Sequence, residues 1–372
     1  MQRNIKPCYY SEYLQLDKLL DAQHPVSPDY GTEAHDETLF IITHQAYELW
    51  FKQILHELKS VMGVFSGEDI AERELGEVEA RLNRIHSIQR VLIEQIGIME
   101  TMTPLDFLDF RDYLIPASGF QSIQFKQIEI MLGLKSKYRI NFDKDSFYSR
   151  LREKDRNMLL QLEERESLFD QVDRWLKRMP FLKFGDFDFW QEYGNAVHAM
   201  LEADRETIRT ADYMTDAEKM FQLTDLDTTG KNFQALLDPD QYEEIREQGG
   251  FRMRQQALLS AVFIHLYRDE PILQLPFRVL TALITVDELF TTWRYRHAIM
   301  VHRMLGTKIG TGGSSGHDYL RETTQNNRFF PDLFKLSTFL LPRSALPKLP
   351  ESLTHALGFY FSHSDDPASP GG

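Results

Sequence analysis

The stretch HDETLFIITHQAYELWFKQILHEL, His35 to Leu58, places Phe40, His44, Tyr47, Phe51, Leu55 and Leu58 at steps of three and four residues. That spacing lines one face of an α-helix, whereas a strand would alternate. Asp36 stands where an N-cap is wanted, and Glu37 falls in the first turn, where the helix dipole favours an anion. The same recurrence runs through most of the chain and runs of period two are scarce, so the expected fold class is all-α: a large bundle of long antiparallel helices with small accessory helices. Helices are expected over Tyr10–Ala22, Asp36–Phe65, Asp69–Glu100, Pro104–Tyr113, Ser122–Met131, Lys154–Arg178, Phe187–Thr210, Tyr242–Tyr267 and Pro276–Leu305. Breaks fall where proline, glycine and aspartate gather, as in HPVSPDYGTEAHD, LIPASGFQS, KRMPFLKFGDFDF, LLDPDQ and REQGGF.

The 372 residues, 42% of them apolar, suffice for a large core. No repeat and no strong composition shift divides them, so one helical domain over residues 1–372 is expected, with the charge-rich stretch from Lys144 to Gly249 as an accessory segment. The end, SHSDDPASPGG over residues 362–372, has the composition of a disordered tail. A formal charge of -14 disfavours nucleic acid and anionic membranes as partners. The single cysteine, Cys8, excludes a disulfide framework and thiolate metal sites and fits a reducing compartment. With no apolar signal core and no run of about 18 apolar residues, a cytoplasmic protein acting on a small molecule or another protein is expected.

WRYRHAIMVHRMLG, Trp293 to Gly306, holds two histidines five residues apart. At about 100° per residue they face sides roughly 140° apart and cannot share a pocket. Phe290, Trp293, His297, Met300 and Met304 form one stripe, and His302 lies behind it beside Arg303. His297 is then either a core histidine bonded to a neighbouring carbonyl or a ligand, and His302 is a surface or helix-end residue. His44 likewise points into an aromatic wall, with Glu48 one turn on. A non-haem metal could use His44 with Glu48, but bundle di-metal sites need Glu-x-x-His pairs, and the chain contains none. Contacts of Glu48 with His44 or Lys52 are the simpler expectation. Two isolated apolar-face histidines without cysteine match a haem, which needs one axial imidazole, an apolar pocket and a distal group.

In TPLDFLDFRDYLIPASGFQS, Arg111 stands among Phe107, Phe110, Tyr113 and Leu114. Its planar fork suits a carboxylate, either a ligand's or that of Asp106, Asp109 or Asp112. Ser118 and Gly119 follow in a turn that can approach a ligand closely. GTGGSSG, Gly310 to Gly316, lacks a P-loop ending and follows a helix. It is a flexible linker, or a donor-rich loop that wraps a small charged group with Thr311, Ser314 or Ser315.

FIITHQAYELWFKQIL, TPLDFLDFRDYLIPASGFQS, WRYRHAIMVHRMLG and GTGGSSG together resemble the tryptophan 2,3-dioxygenase family, in the longer form typical of animal members, from about Tyr10 to Phe361. The resemblance implies a helical homotetramer, a dimer of dimers, with helices around a pocket for one haem b per subunit. It further implies oxidation of L-tryptophan by O2 to N-formylkynurenine, the first step of tryptophan catabolism through kynurenine. It assigns His297 as the axial haem ligand and His44 as the catalytic distal residue that hydrogen-bonds the indole N–H. Phe40, Ile41, Ile42 and Thr43 line the substrate with His44, and Phe107 packs on the indole. Arg111 binds the substrate carboxylate and Thr311 its carboxylate and ammonium ends. Tyr10, Tyr13 and Leu14 reach the neighbouring subunit's pocket, and Trp293, Ser118 and Gly119 border the haem. Arg296, His317 and Asp318 receive no role.

Overall fold

In the computed structural model the described residues are 6–67, 70–139, 148, 151–306, 324 and 326–358. Among the described residues the regular structure is helical except for one hairpin, in which Lys183 pairs with Asp188 and Phe184 with Phe187 across Gly185 at φ 58°. The expected GTGGSSG loop and the 362–372 tail lie outside the described residues. Among the described residues no helix is long and apolar enough to cross a membrane.

Three long helices dominate, Glu37–Phe65, Glu72–Met99 and Pro271–Leu305. The last begins five residues earlier than expected: Pro271 takes the first position, where its missing N–H costs nothing, and Pro276 is carried inside the helix. Other expected helices are broken. Gln15 adopts the left-handed conformation at φ 52° and divides the N-terminal helix into Tyr10–Leu14 and Leu16–Leu19. The stretch expected as Lys154–Arg178 is Glu153–Glu163 and Leu168–Lys177. Between them the charged run from Glu164 to Glu166 has nothing apolar to bury, and Lys135 donates to the carbonyl of Arg165 at 2.9 Å.

Tyr242–Tyr267 divides too, into Pro239–Glu247 and Gln255–Leu266. Gly249 turns the chain at φ 85°, and buried carboxylates capture the backbone beyond it. Asp332 accepts from the amides of Arg252 and Met253 at 2.8 and 2.6 Å, and Asp173 accepts from that of Arg254 at 2.7 Å. The longest unexpected helix is Asp216–Leu237, although a legible capping box opens it: Thr215 and Glu218 bond each other's amides. It buries only Phe233, Ala235 and Leu236, so its apolar signal is weak.

The chain divides into two compact units, residues Met1–Ser60, Asn83–Ser167 and Thr285–Phe329 in one, Val61–Leu82, Leu168–Ile284 and Phe330–Gly372 in the other. The charge-rich stretch 144–249 is shared between them, changing unit after Ser167. The second unit is tied by tyrosine hydroxyls that donate to distant carbonyls, Tyr193 to Phe339 at 2.7 Å and Tyr267 to Pro347 at 2.7 Å. The first unit holds both histidines of interest.

Candidate active site

His44 and His297 come from two helices, Glu37–Phe65 and Pro271–Leu305, yet they sense each other electrostatically. Burial first, and the charge of His44 second, push the His297 imidazole down to about 4. At neutral pH His297 is therefore uncharged, with a ring lone pair to offer. Among the described residues it makes no hydrogen bond, so the bond to a neighbouring carbonyl that a core histidine would make is missing. The expected stripe holds: Phe290 and Met304 are buried, Trp293 and Met300 partly so, and His302 faces out.

His44 is water-accessible but recessed. Burial lowers its pKa, against the opposing pull of the Phe40 carbonyl and the Glu48 charge. Its Nδ1 lies 2.7 Å from the Phe40 carbonyl oxygen. A carbonyl only accepts, so Nδ1 carries the proton and the neutral ring presents Nε2 as an acceptor. Phe40 also packs on this ring, with centroids 4.1 Å apart. Phe107 and Phe110 continue the wall, 5.7 and 5.6 Å from Phe40, over Met99, Met102 and Met304. Ile41 and Thr43 turn partly or wholly into the protein, and Ile42 is exposed.

Among the described residues Glu48 makes no hydrogen bond or ion pair with His44 or Lys52, although its charge acts on the His44 imidazole. Its carboxylate and its carbonyl each accept from the Gln124 side-chain amide at 2.8 Å. Among the described residues no three His, Cys, Asp or Glu side chains gather as metal ligands, and Glu48 is committed to Gln124.

On the His297 side, the Trp293 indole lies parallel to the imidazole, with centroids 5.4 Å apart and planes at 0°. Tyr47, Phe51 and Phe125 surround the indole. Phe125 and Gln124 were not anticipated, although Ser122, which caps their helix, marks its start in the sequence.

Arg111 ends the Pro104–Arg111 helix, which Thr103 opens with a capping box to Asp106. Its side chain is 13% exposed, and Nη1 lies 3.3 Å from Asp112 Oδ1, so one of the three expected aspartates is its partner. Asp112 is itself 76% exposed, which leaves the pair weak. Ser118 is used locally: its hydroxyl caps the turn Gly119–Gln121. A Cβ on Gly119 would meet nothing within 4 Å, so no close backbone approach by the described residues requires glycine there. Tyr10, Tyr13 and Leu14 stand exposed on a helix that buries nothing, and Thr311 lies outside the described residues.

Two histidines from separate helices thus lie close enough to feel each other's charge, and a mostly buried arginine ends a third helix. Residues 2–340 match the family model described as tryptophan 2,3-dioxygenase. The chain belongs to the tryptophan 2,3-dioxygenase family. A relative from Alteromonas mediterranea bearing that name is 58% identical over 360 residues, 97% of this chain and 99% of that protein. Another, from Bdellovibrio bacteriovorus, is 49% identical over 355 residues, 95% of this chain and 99% of its own length. One from Dictyostelium discoideum is 44% identical over 358 residues, 96% and 90% respectively. The two bacterial relatives are thus nearly the length of this chain.

Proposed function

We propose that the chain is a haem-dependent dioxygenase that inserts O2 into the indole pyrrole ring of L-tryptophan to give N-formylkynurenine, opening tryptophan breakdown through kynurenine. Family membership supports the substrate, and the site supports the cofactor. His297 offers an uncharged imidazole that no group bonds among the described residues, beside an aromatic wall, with a second histidine close by. That donor set fits haem b: His297 would hold its iron, and Trp293, Ser118 and Gly119 would border it. When bound, the haem iron supplies the activation of O2 that no side chain can provide.

The chain's own residues bind and orient. The observation that carries the reading is the 2.7 Å bond from His44 Nδ1 to the Phe40 carbonyl, because it leaves Nε2 free to accept the indole N–H. An indole N–H is a very weak acid, and a site that lowers the pKa of His44 disfavours the imidazolium that deprotonation would create. His44 therefore orients the ring. Phe40 and Phe107 pack on the indole, the run from Ile41 to Thr43 shapes its pocket, and the aromatic wall excludes water. Arg111 binds the carboxylate in place of the exposed Asp112, a stronger pairing once the site is dry. Thr311 meets the carboxylate and ammonium ends. The exposed Tyr10, Tyr13 and Leu14 reach a neighbouring subunit's pocket in a cytoplasmic homotetramer. The exposed Leu49, Val91, Ile98, Tyr295 and Ile299 supply further apolar surface for subunits to cover.

The test is an optical spectrum of the purified protein followed by a kynurenine assay under O2 with reductant. A Soret band and N-formylkynurenine are expected. A folded, colourless protein overturns the cofactor, and haem without turnover makes the protein a sensor or carrier. His44→Ala should turn over slowly but measurably. Complete inactivity with intact tryptophan binding would make His44 a base.

A further inference from the structure

We propose that Trp293 is the positioning residue for His297: its indole plane fixes the plane of the imidazole, and with it the bearing of the axial nitrogen toward a haem. The inference rests on the haem reading above and extends it to a residue that touches neither substrate nor iron.

Trp293 and His297 are four residues apart on one helix, so their side chains lie one above the other. Their rings are parallel at a centroid separation of 5.4 Å. The indole is itself walled in. Phe125 lies 5.1 Å away, Phe51 meets it edge-on at 6.3 Å, and Tyr47 stands at 6.1 Å. Tyr47 is tethered in turn, its hydroxyl donating to the Leu92 carbonyl at 2.7 Å. The rotation of the helix is pinned one residue on. Arg294, 3% exposed, donates to Glu129 at 2.7 Å and to the Asn327 carbonyl at 2.6 Å. Helix, indole and wall are therefore rigid as a set.

Metal-bound histidines ordinarily have their second ring nitrogen held by a carboxylate or a carbonyl, which sets the orientation of the ring. His297 has no such bond among the described residues. The torsion that turns an imidazole about its bond to Cβ is broad, so without that bond another contact must hold the plane. The parallel indole is that contact.

The experiment compares wild type, Trp293→Phe and Trp293→Leu as reduced holoenzymes, with the iron–histidine stretching band read by resonance Raman. The phenylalanine variant keeps a flat ring to stack and should preserve the position and width of the band. The leucine variant keeps apolar volume without a plane, and its band should shift and broaden. An unchanged band in a haem-bearing Trp293→Leu protein overturns the proposal. Should that variant not retain haem, Phe125→Leu loosens the indole from behind. A broadened band there supports the proposal and an unchanged one overturns it. A wild type without a Soret band overturns both the haem reading and this one, whereas a Soret band with an indifferent Trp293→Leu overturns this one alone.

Discussion

Along the Glu37–Phe65 helix one spacing runs through two environments. From Phe51 onward the apolar face is closed, with Ile54, Leu58, Val61 and Phe65 at 0% exposure. Before Phe51 the same face carries Phe40, His44 and Tyr47, none of them buried. The Pro271–Leu305 helix shows the division in the opposite order, Val279, Leu280, Leu283, Val286 and Phe290 buried and Trp293, His297 and Met300 only partly so. The closed part of each helix carries stability, and the open part carries the histidine. A ligand site on a long helix needs both, because only a packed stretch holds an unpacked one in place.

The sharpest way to break this contrast is His297→Ala. It should remove the Soret band and all turnover while the closed stretches keep the protein folded by circular dichroism. A band of wild-type intensity would exclude His297 as the ligand. Next is Arg111→Ala, in which a desolvated carboxylate loses its partner. A cost of about 2–5 kcal/mol, roughly 30-fold or more in kcat/KM for tryptophan, is expected with haem retained. Loss of haem alongside activity would make Arg111 structural.

On the closed side, Leu58→Ala should lower unfolding stability by about 2–5 kcal/mol in urea titration, since it leaves a cavity. Ile42→Ala, on the open half of the same helix and exposed, should cost under about 0.5 kcal/mol in the monomer. Equal costs would abolish the distinction between the two halves.

The smallest effect concerns the other unit. Burial raises the Asp332 carboxyl above its ordinary 3.8, while the amides of Met253 and Arg252 pull it down less strongly. A carboxyl harder to ionise in the fold than in the unfolded chain contributes most below its unfolded pKa and loses that contribution as pH rises through the folded value. Asp332→Asn keeps an oxygen for the two amides and removes the titration. Its Tm should decline less than that of wild type between acid and neutral pH, and parallel Tm curves would show that Asp332 does not carry the dependence.

Much of this molecule was legible in advance. The side of the helix that His297 occupies followed from 100° steps, and its partly buried stripe with His302 outside bears that out. Arg111 among its aromatics was equally visible, with its pairing to an aspartate left open. The partner of Glu48 could not be read, because Gln124 lies 76 residues away. Nor could the break at Gln15, where a left-handed residue overrules a continuous apolar pattern. The break at Gly249 is marked by the glycines of REQGGF, but the two distant aspartates that hold the backbone beyond it are not.

By itself the sequence determined the helical class, the side each histidine faces and the motifs that mark the family, because periodicity and capping are properties of one short segment. The tertiary structure alone decided which stretches of each stripe close and which remain open. It also decided that the imidazole of His297 lies parallel to Trp293 with Phe125 behind the indole. Burial and ring contacts depend on what a second helix brings across, and no local pattern contains that helix.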